Sequence, residues 1–102
     1  MDINERPTTP PDLKKLELIR QWHPVALTLF KEMLQEAEAN LQKNNYPLRN
    51  AAVNRKDWRE QLQWKFRMHW SLAQEIENNL LSTGKFQVFG GYARLKDEEV
   101  DV

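Results

Sequence analysis

Asp57–Gly84, DWREQLQWKFRMHWSLAQEIENNLLSTG, decides how the rest of the chain is read. It holds three of the four tryptophans and the densest run of basic residues. Its centre, Leu62–Leu72, alternates apolar and polar residues strictly, which is the pattern of a half-buried strand. Three features favour a helix instead. Asp57 followed by Glu60 three positions on forms a capping box, which satisfies free N–H groups at a helix start. No β-branched residue occurs between Val53 and Ile76, although strands favour them. Pro and Gly are absent from Leu48 to Thr83, and Gly84 stands where a C′ glycine ends a helix. The stretch therefore predicts one long helix, with a strand over Leu62–Leu72 as the alternative and Ser71 as the place for a break.

Wound as a helix, the stretch has a coherent apolar face. Trp58, Leu62, Phe66, Ala73, Ile76 and Leu80 fall within about 80° of arc, with Trp70 at the border. His69 projects onto the same face, between Trp58 and Phe66. Trp64, Met68 and Leu72 form a second strip on the far side. A helix that is apolar on two sides must be covered twice, by the rest of this chain or by a second molecule.

Upstream, residues 1–11 read as a flexible arm with three prolines. Thr9, Pro10 and Asp12 signal a helix start. A first helix runs from about Pro10 to Trp22, and His23-Pro24 predicts a break, because a residue before proline avoids helical geometry. A second helix starts with Pro24 in its first turn and continues to about Lys43. It carries Ala26, Phe30, Met33, Leu34, Ala37 and Leu41 on one face. Asn44-Asn45 and Pro47 close it. Residues 46–56 form a loop that Tyr46, Leu48 and Val53 can pin down.

Downstream of Gly84 the apolar period changes to two. Two alternating runs, 85–89 and 92–96, flank Gly90-Gly91, a signal for a two-residue hairpin that sets Phe89 opposite Tyr92 and Phe86 opposite Leu95. The acidic tail 97–102 is expected to be unstructured. Its Glu98–Asp101 segment is similar to the terminal acidic peptides that tetratricopeptide-repeat domains capture by the chain-end carboxylate, but Val102 displaces that carboxylate, so the match is taken as chance.

The totals exclude several classes. With 15 basic and 15 acidic residues in 102, the net charge is zero, so no global pull towards nucleic acid or membrane exists. The local balance is uneven, with six basic and two acidic residues over 49–70. The chain has no cysteine, hence no disulfide and no thiolate zinc site, which fits a reducing cytoplasm. No run approaches the ~20 apolar residues of a membrane span. Two distant histidines give no metal-ligand spacing. Glu75 and Glu77 lie two apart on a helix and do not face each other. The three glycines sit in a helix stop and a turn, so no phosphate loop exists.

The sequence thus predicts a predominantly α, α+β fold. Three helices, the long one central, pack with a C-terminal β-hairpin in a single domain over residues 12–96. A dimer paired through the long helix is the alternative architecture. The expected function is non-enzymatic and cofactor-free, with a protein partner or a second copy meeting Trp64, Met68 and Leu72. Trp and Met on an exposed helix face suit an interaction hot spot. The alternative is a nucleic-acid-binding module using Arg49, Arg55, Lys56, Arg59 and Arg67. Arginines neutralise phosphates while interleaved tryptophans stack bases. His69 reads as a core histidine held by one hydrogen bond, ahead of a general-base role.

Overall fold

In the computed structural model, residues 11–96 are described, and the fold they make is α+β and mainly helical. Residues 1–10 of the expected arm, and the tail 97–102, lie outside them. The elements are α1 (Pro11–Gln21), α2 (His23–Lys43), a 3-10 turn (Leu48–Asn50), β1 (Val53–Asn54), α3 (Arg55–Phe66), α4 (Trp70–Leu81), β2 (Phe86–Phe89) and β3 (Tyr92–Leu95).

The expected long helix is two helices. α3 ends at Arg67, which is left-handed at φ 55°, and α4 restarts after His69, which is extended at φ −69° and ψ 149°. The break falls two residues before the predicted Ser71. Its physical reason is local. The His69 ring takes the N-cap role, with Nδ1 accepting from the Ser71 N–H at 3.2 Å. The left-handed Arg67 closes the preceding helix as an αL cap. Four helices therefore stand where three were expected. The chain folds back into an αα-hairpin, whose connections are commonly 2–5 residues. The alternation over Leu62–Leu72 straddles this turn and belongs to no strand.

The predicted start of α3 also moves. Asn54, not Asp57, is the N-cap, and its Oδ1 accepts from the Asp57 N–H at 3.0 Å. Asp57 sits inside the first turn, where its charge complements the helix dipole.

The break expected at His23 falls at Trp22 instead, and His23 is the first residue of α2, with proline in its first turn. At the far end, Asn45 is left-handed at φ 62°. Its N–H donates to Gln42 O (3.1 Å) and that of Tyr46 to Leu41 O (2.9 Å), a Schellman closure.

The hairpin has the predicted register, Phe86 with Leu95 and Phe89 with Tyr92. Gly90 alone of its two central residues has positive φ, at 63°, the type II′ pattern. The loop over 46–56 contains a strand the sequence did not reveal. β1 pairs antiparallel with β3, Val53 opposite Ala93, giving the sheet order β1-β3-β2.

The core collects one side of every helix and of the sheet. Trp58, Phe30, Leu62 and Ile76 are fully buried. Phe30 meets Trp58 (4.8 Å) and Phe86 (5.0 Å, 89° between planes), edge-to-face geometry that suits aromatic quadrupoles. The Trp58 indole N–H donates to Ala26 O at 3.1 Å, so this buried donor is satisfied. Ala26, Ala73 and Ala93 have no exposed surface and let α2, α4 and the sheet approach closely.

Candidate functional site

The basic cluster predicted around the start of α3 does not stand free. Arg55 Nε lies 2.5 Å from Glu77 Oε2, and Arg59 Nη1 lies 2.8 Å from Glu77 Oε1. The Glu77 side chain is 1% exposed, against 27% and 29% for the two arginines. A carboxylate this deep needs charge and hydrogen-bond partners, because desolvating an unpaired ion is expensive. Folding α4 back on α3 supplies both. The two arginines are thus committed to an internal anion.

The other members of the cluster are dispersed. Lys56 is exposed and pairs with Glu60 one turn on, at 3.4 Å. Arg49 is exposed in the 3-10 turn, and its backbone carbonyl accepts from Arg94 Nη1. Arg67 sits at the α3–α4 elbow. No continuous basic stripe joins Arg49, Lys56 and Arg67.

The predicted apolar strip is divided by the elbow. Trp64 is 77% exposed, the most open of the large apolar side chains among the described residues. It lines a shallow concavity with Gln63, Arg67 and Met68. Met68 is half-buried and rests against the core. Leu72 is carried into α4, where it too packs on the core. The structure therefore keeps Trp64 and Met68 together and removes Leu72 from them. Trp70, expected at the border of the buried face, is instead 57% exposed on the first residue of α4. A rotation at the elbow brings Ala73, Ile76 and Leu80 to the core and turns Trp70 outward.

His69 corrects the expectation of a core histidine. Its side chain is exposed and caps α4, with Nδ1 also 3.0 Å from Ser71 Oγ. The break removes it from the helical projection that had placed it among apolar neighbours.

A second exposed aromatic surface was not singled out from the sequence. On the outer face of the hairpin, Phe89 and Tyr92 are 44% and 46% exposed. The Arg94 guanidinium lies over the Phe89 ring at 5.6 Å and donates through Nε to Gln87 Oε1 at 2.9 Å. The signal was present in the two-residue period, which puts Gln87, Phe89, Tyr92 and Arg94 on one face.

Among the described residues, no group of three or more histidine, cysteine, aspartate or glutamate side chains is placed to hold a metal ion. No helix among them is long and apolar enough to cross a membrane. No family model matches the chain, and neither a curated protein nor a solved structure is significantly similar to it.

Proposed function

We propose that this protein is a non-enzymatic, cytoplasmic interaction module that binds a protein partner, a second copy included, through the α3–α4 elbow. The observation that carries the reading is the exposure of Trp64 beside Met68, with Trp70 exposed three residues past Arg67. An exposed indole beside a thioether offers large apolar area at low conformational cost, and Arg67 adds a donor of the kind enriched at hot spots. Such a surface serves an adaptor, an inhibitor or an accessory subunit.

The test is association measured by sedimentation and by co-purification with partner candidates, for wild type, Trp64→Ala and Trp70→Ala. The expected result is association that either substitution weakens at least tenfold while the circular dichroism spectrum is unchanged. Association of a variant carrying both Trp64→Ala and Trp70→Ala that equals wild type would remove the elbow as the interface.

A nucleic-acid reading keeps one supporting observation, the Arg67–Trp64 neighbourhood at the elbow. Arg55 and Arg59 contribute little to it, since Glu77 holds them. A tryptophan-fluorescence titration with single- and double-stranded oligonucleotides at two salt concentrations tests it. Saturation that weakens with salt and is lost in Lys56→Glu and Arg67→Glu supports this alternative. A flat titration at micromolar concentration rules it out.

A further inference from the structure

The two faces of the sheet differ in kind. Val53, Phe86 and Ala93 share the face turned to the core, and all are buried. Lys85 and Lys96 stand opposite each other at the open end of the hairpin, where the Lys96 N–H donates to Lys85 O at 3.0 Å. Side chains alternate between faces along a strand. Lys85, Gln87, Phe89, Tyr92, Arg94 and Lys96 therefore share the face away from the core. β1 adds Asn54, opposite Tyr92. Among the described residues, this face has three cations and no carboxylate.

The cations are not balanced from within. Among the described residues, none of Lys85, Arg94 and Lys96 takes part in an ion pair. Lys85 and Lys96 are exposed, and like charges directly opposite across a ladder are destabilising. An anion beside them relieves a standing repulsion. Roughly 13 Å along the strands from this pair, Phe89 and Tyr92 are exposed. Arg94 lies between the two ends, opposite Gln87, with its guanidinium over the Phe89 ring at 5.6 Å. Next to the rings is a concavity of about 480 Å³, lined by Tyr46, Phe89 and Tyr92 with Asn40, Asn44 and Asn50 and by no charged residue.

We propose that this sheet face binds single-stranded nucleic acid. Bases stack on Phe89 and Tyr92, and phosphates meet Lys85, Arg94 and Lys96. Aromatic rings on a sheet that take two or three bases are a recurrent way of holding a splayed strand, and stacking with cationic tracking of the backbone suits single strands generally. A duplex keeps its base faces hidden. An acidic peptide matches the cations and has no flat partner for the rings. Four acidic residues follow Lys96 in the sequence, at positions 97, 98, 99 and 101, so the salt slope, more than the absolute Kd, carries the test. The face shares no residue with the Trp64 elbow, so the two readings fail separately.

The test is fluorescence anisotropy of labelled oligonucleotides of about twelve residues, titrated with the full chain at about 50 and about 150 mM salt. Single-stranded RNA, single-stranded DNA and the matching DNA duplex are compared, with inorganic polyphosphate and the acidic hexapeptide DEEVDV as competitors. Expected is saturable binding of a single strand, at least tenfold tighter than the duplex. Three phosphate contacts should weaken it about tenfold across the salt range. The tighter of RNA and DNA is the ligand. Phe89→Ala with Tyr92→Ala should cost at least tenfold at either salt and leave the salt slope alone. Lys85→Gln with Lys96→Gln should flatten the salt dependence to about twofold, the share of the one remaining contact. All four side chains are exposed, so the circular dichroism spectrum should not change. Trp64→Ala should leave affinity and slope as they are. The proposal is overturned by absence of saturable single-strand binding, by a duplex that binds as tightly, or by wild-type affinity in the folded Phe89, Tyr92 variant. Loss of binding in Trp64→Ala would move the site to the elbow and overturn it too. It is equally overturned if polyphosphate or the hexapeptide displaces the strand at equal charge concentration, since the bases would then play no part.

Discussion

Arg59 Nη1 and Glu77 Oε1 are 2.8 Å apart, although 18 positions separate them in the chain. An unbroken helix rising about 1.5 Å per residue would hold them ~27 Å apart. Their ion pair therefore exists only because α3 and α4 fold back on each other.

Removing Glu77 should be costly. Glu77→Ala leaves two partly buried guanidinium groups without their shared anion, and stability should fall by about 3 kcal/mol. Arg55→Met should cost less, because Arg59 still neutralises the carboxylate. Urea unfolding midpoints at a constant slope measure both. A loss under about 0.5 kcal/mol for Glu77→Ala would mean that the buried pair contributes nothing to holding the helical hairpin.

The elbow can be tested by sign. Arg67 is left-handed at φ 55°, a conformation that costs a side-chain-bearing residue roughly 1–2 kcal/mol. Arg67→Gly relieves that strain and adds glycine's own entropy cost of about 0.5–1 kcal/mol, so stability should rise by about 0.5 kcal/mol. In an uninterrupted helix the same change would lower stability by about 1 kcal/mol. The direction in which the urea midpoint moves decides between the two.

Capping offers a similar contrast. Asn54→Ala should destabilise by about 1 kcal/mol through loss of the N-cap bond to the Asp57 N–H. Asp57→Ala should cost less, about 0.5 kcal/mol, since only the dipole interaction is lost. The reverse ranking in thermal melts would return the cap to Asp57.

The tryptophans should separate by quenching. Trp58 is fully buried and Trp22 half-buried, whereas Trp64 and Trp70 are open. Iodide should quench a fraction of the emission that disappears in the Trp64→Phe, Trp70→Phe double variant, with stability changed by no more than about 0.5 kcal/mol. Trp58→Ala, by contrast, should cost about 3–5 kcal/mol. Uniform quenching of all four indoles would contradict this arrangement.

Much of this architecture could be read from the chain because it is locally encoded. Asn44-Asn45 closing α2, Gly90-Gly91 turning the hairpin and the Phe86–Leu95 register each depend on a few neighbouring residues. What escaped depends on contacts distant in sequence. The strand at Val53–Asn54 is two residues long and has no period of its own; Ala93 makes it a strand. The burial of Glu77 could not be read from the sequence, because its partners, Arg55 and Arg59, face it only after the chain reverses. The reversal was hidden because no glycine or proline marks it. A left-handed arginine and a capping histidine do that work, and neither has a strong sequence signature. The candidate interface was legible in part. Trp64 and Met68 stay together on the surface, while Leu72 and His69 were assigned by a helical projection that does not continue past Phe66.

The strand order β1-β3-β2 also fixes an order of assembly. The central strand, Tyr92–Leu95, is the last described element to be synthesised, yet β1 and β2 both pair with it. Val53 waits for Ala93, and the whole α3–α4 hairpin lies between them. On the ribosome, α2 emerges long before the sheet on which its Phe30 packs can exist. Phe30, Trp58 and Ile76 therefore remain without their full enclosure until the chain has been extended through Leu95.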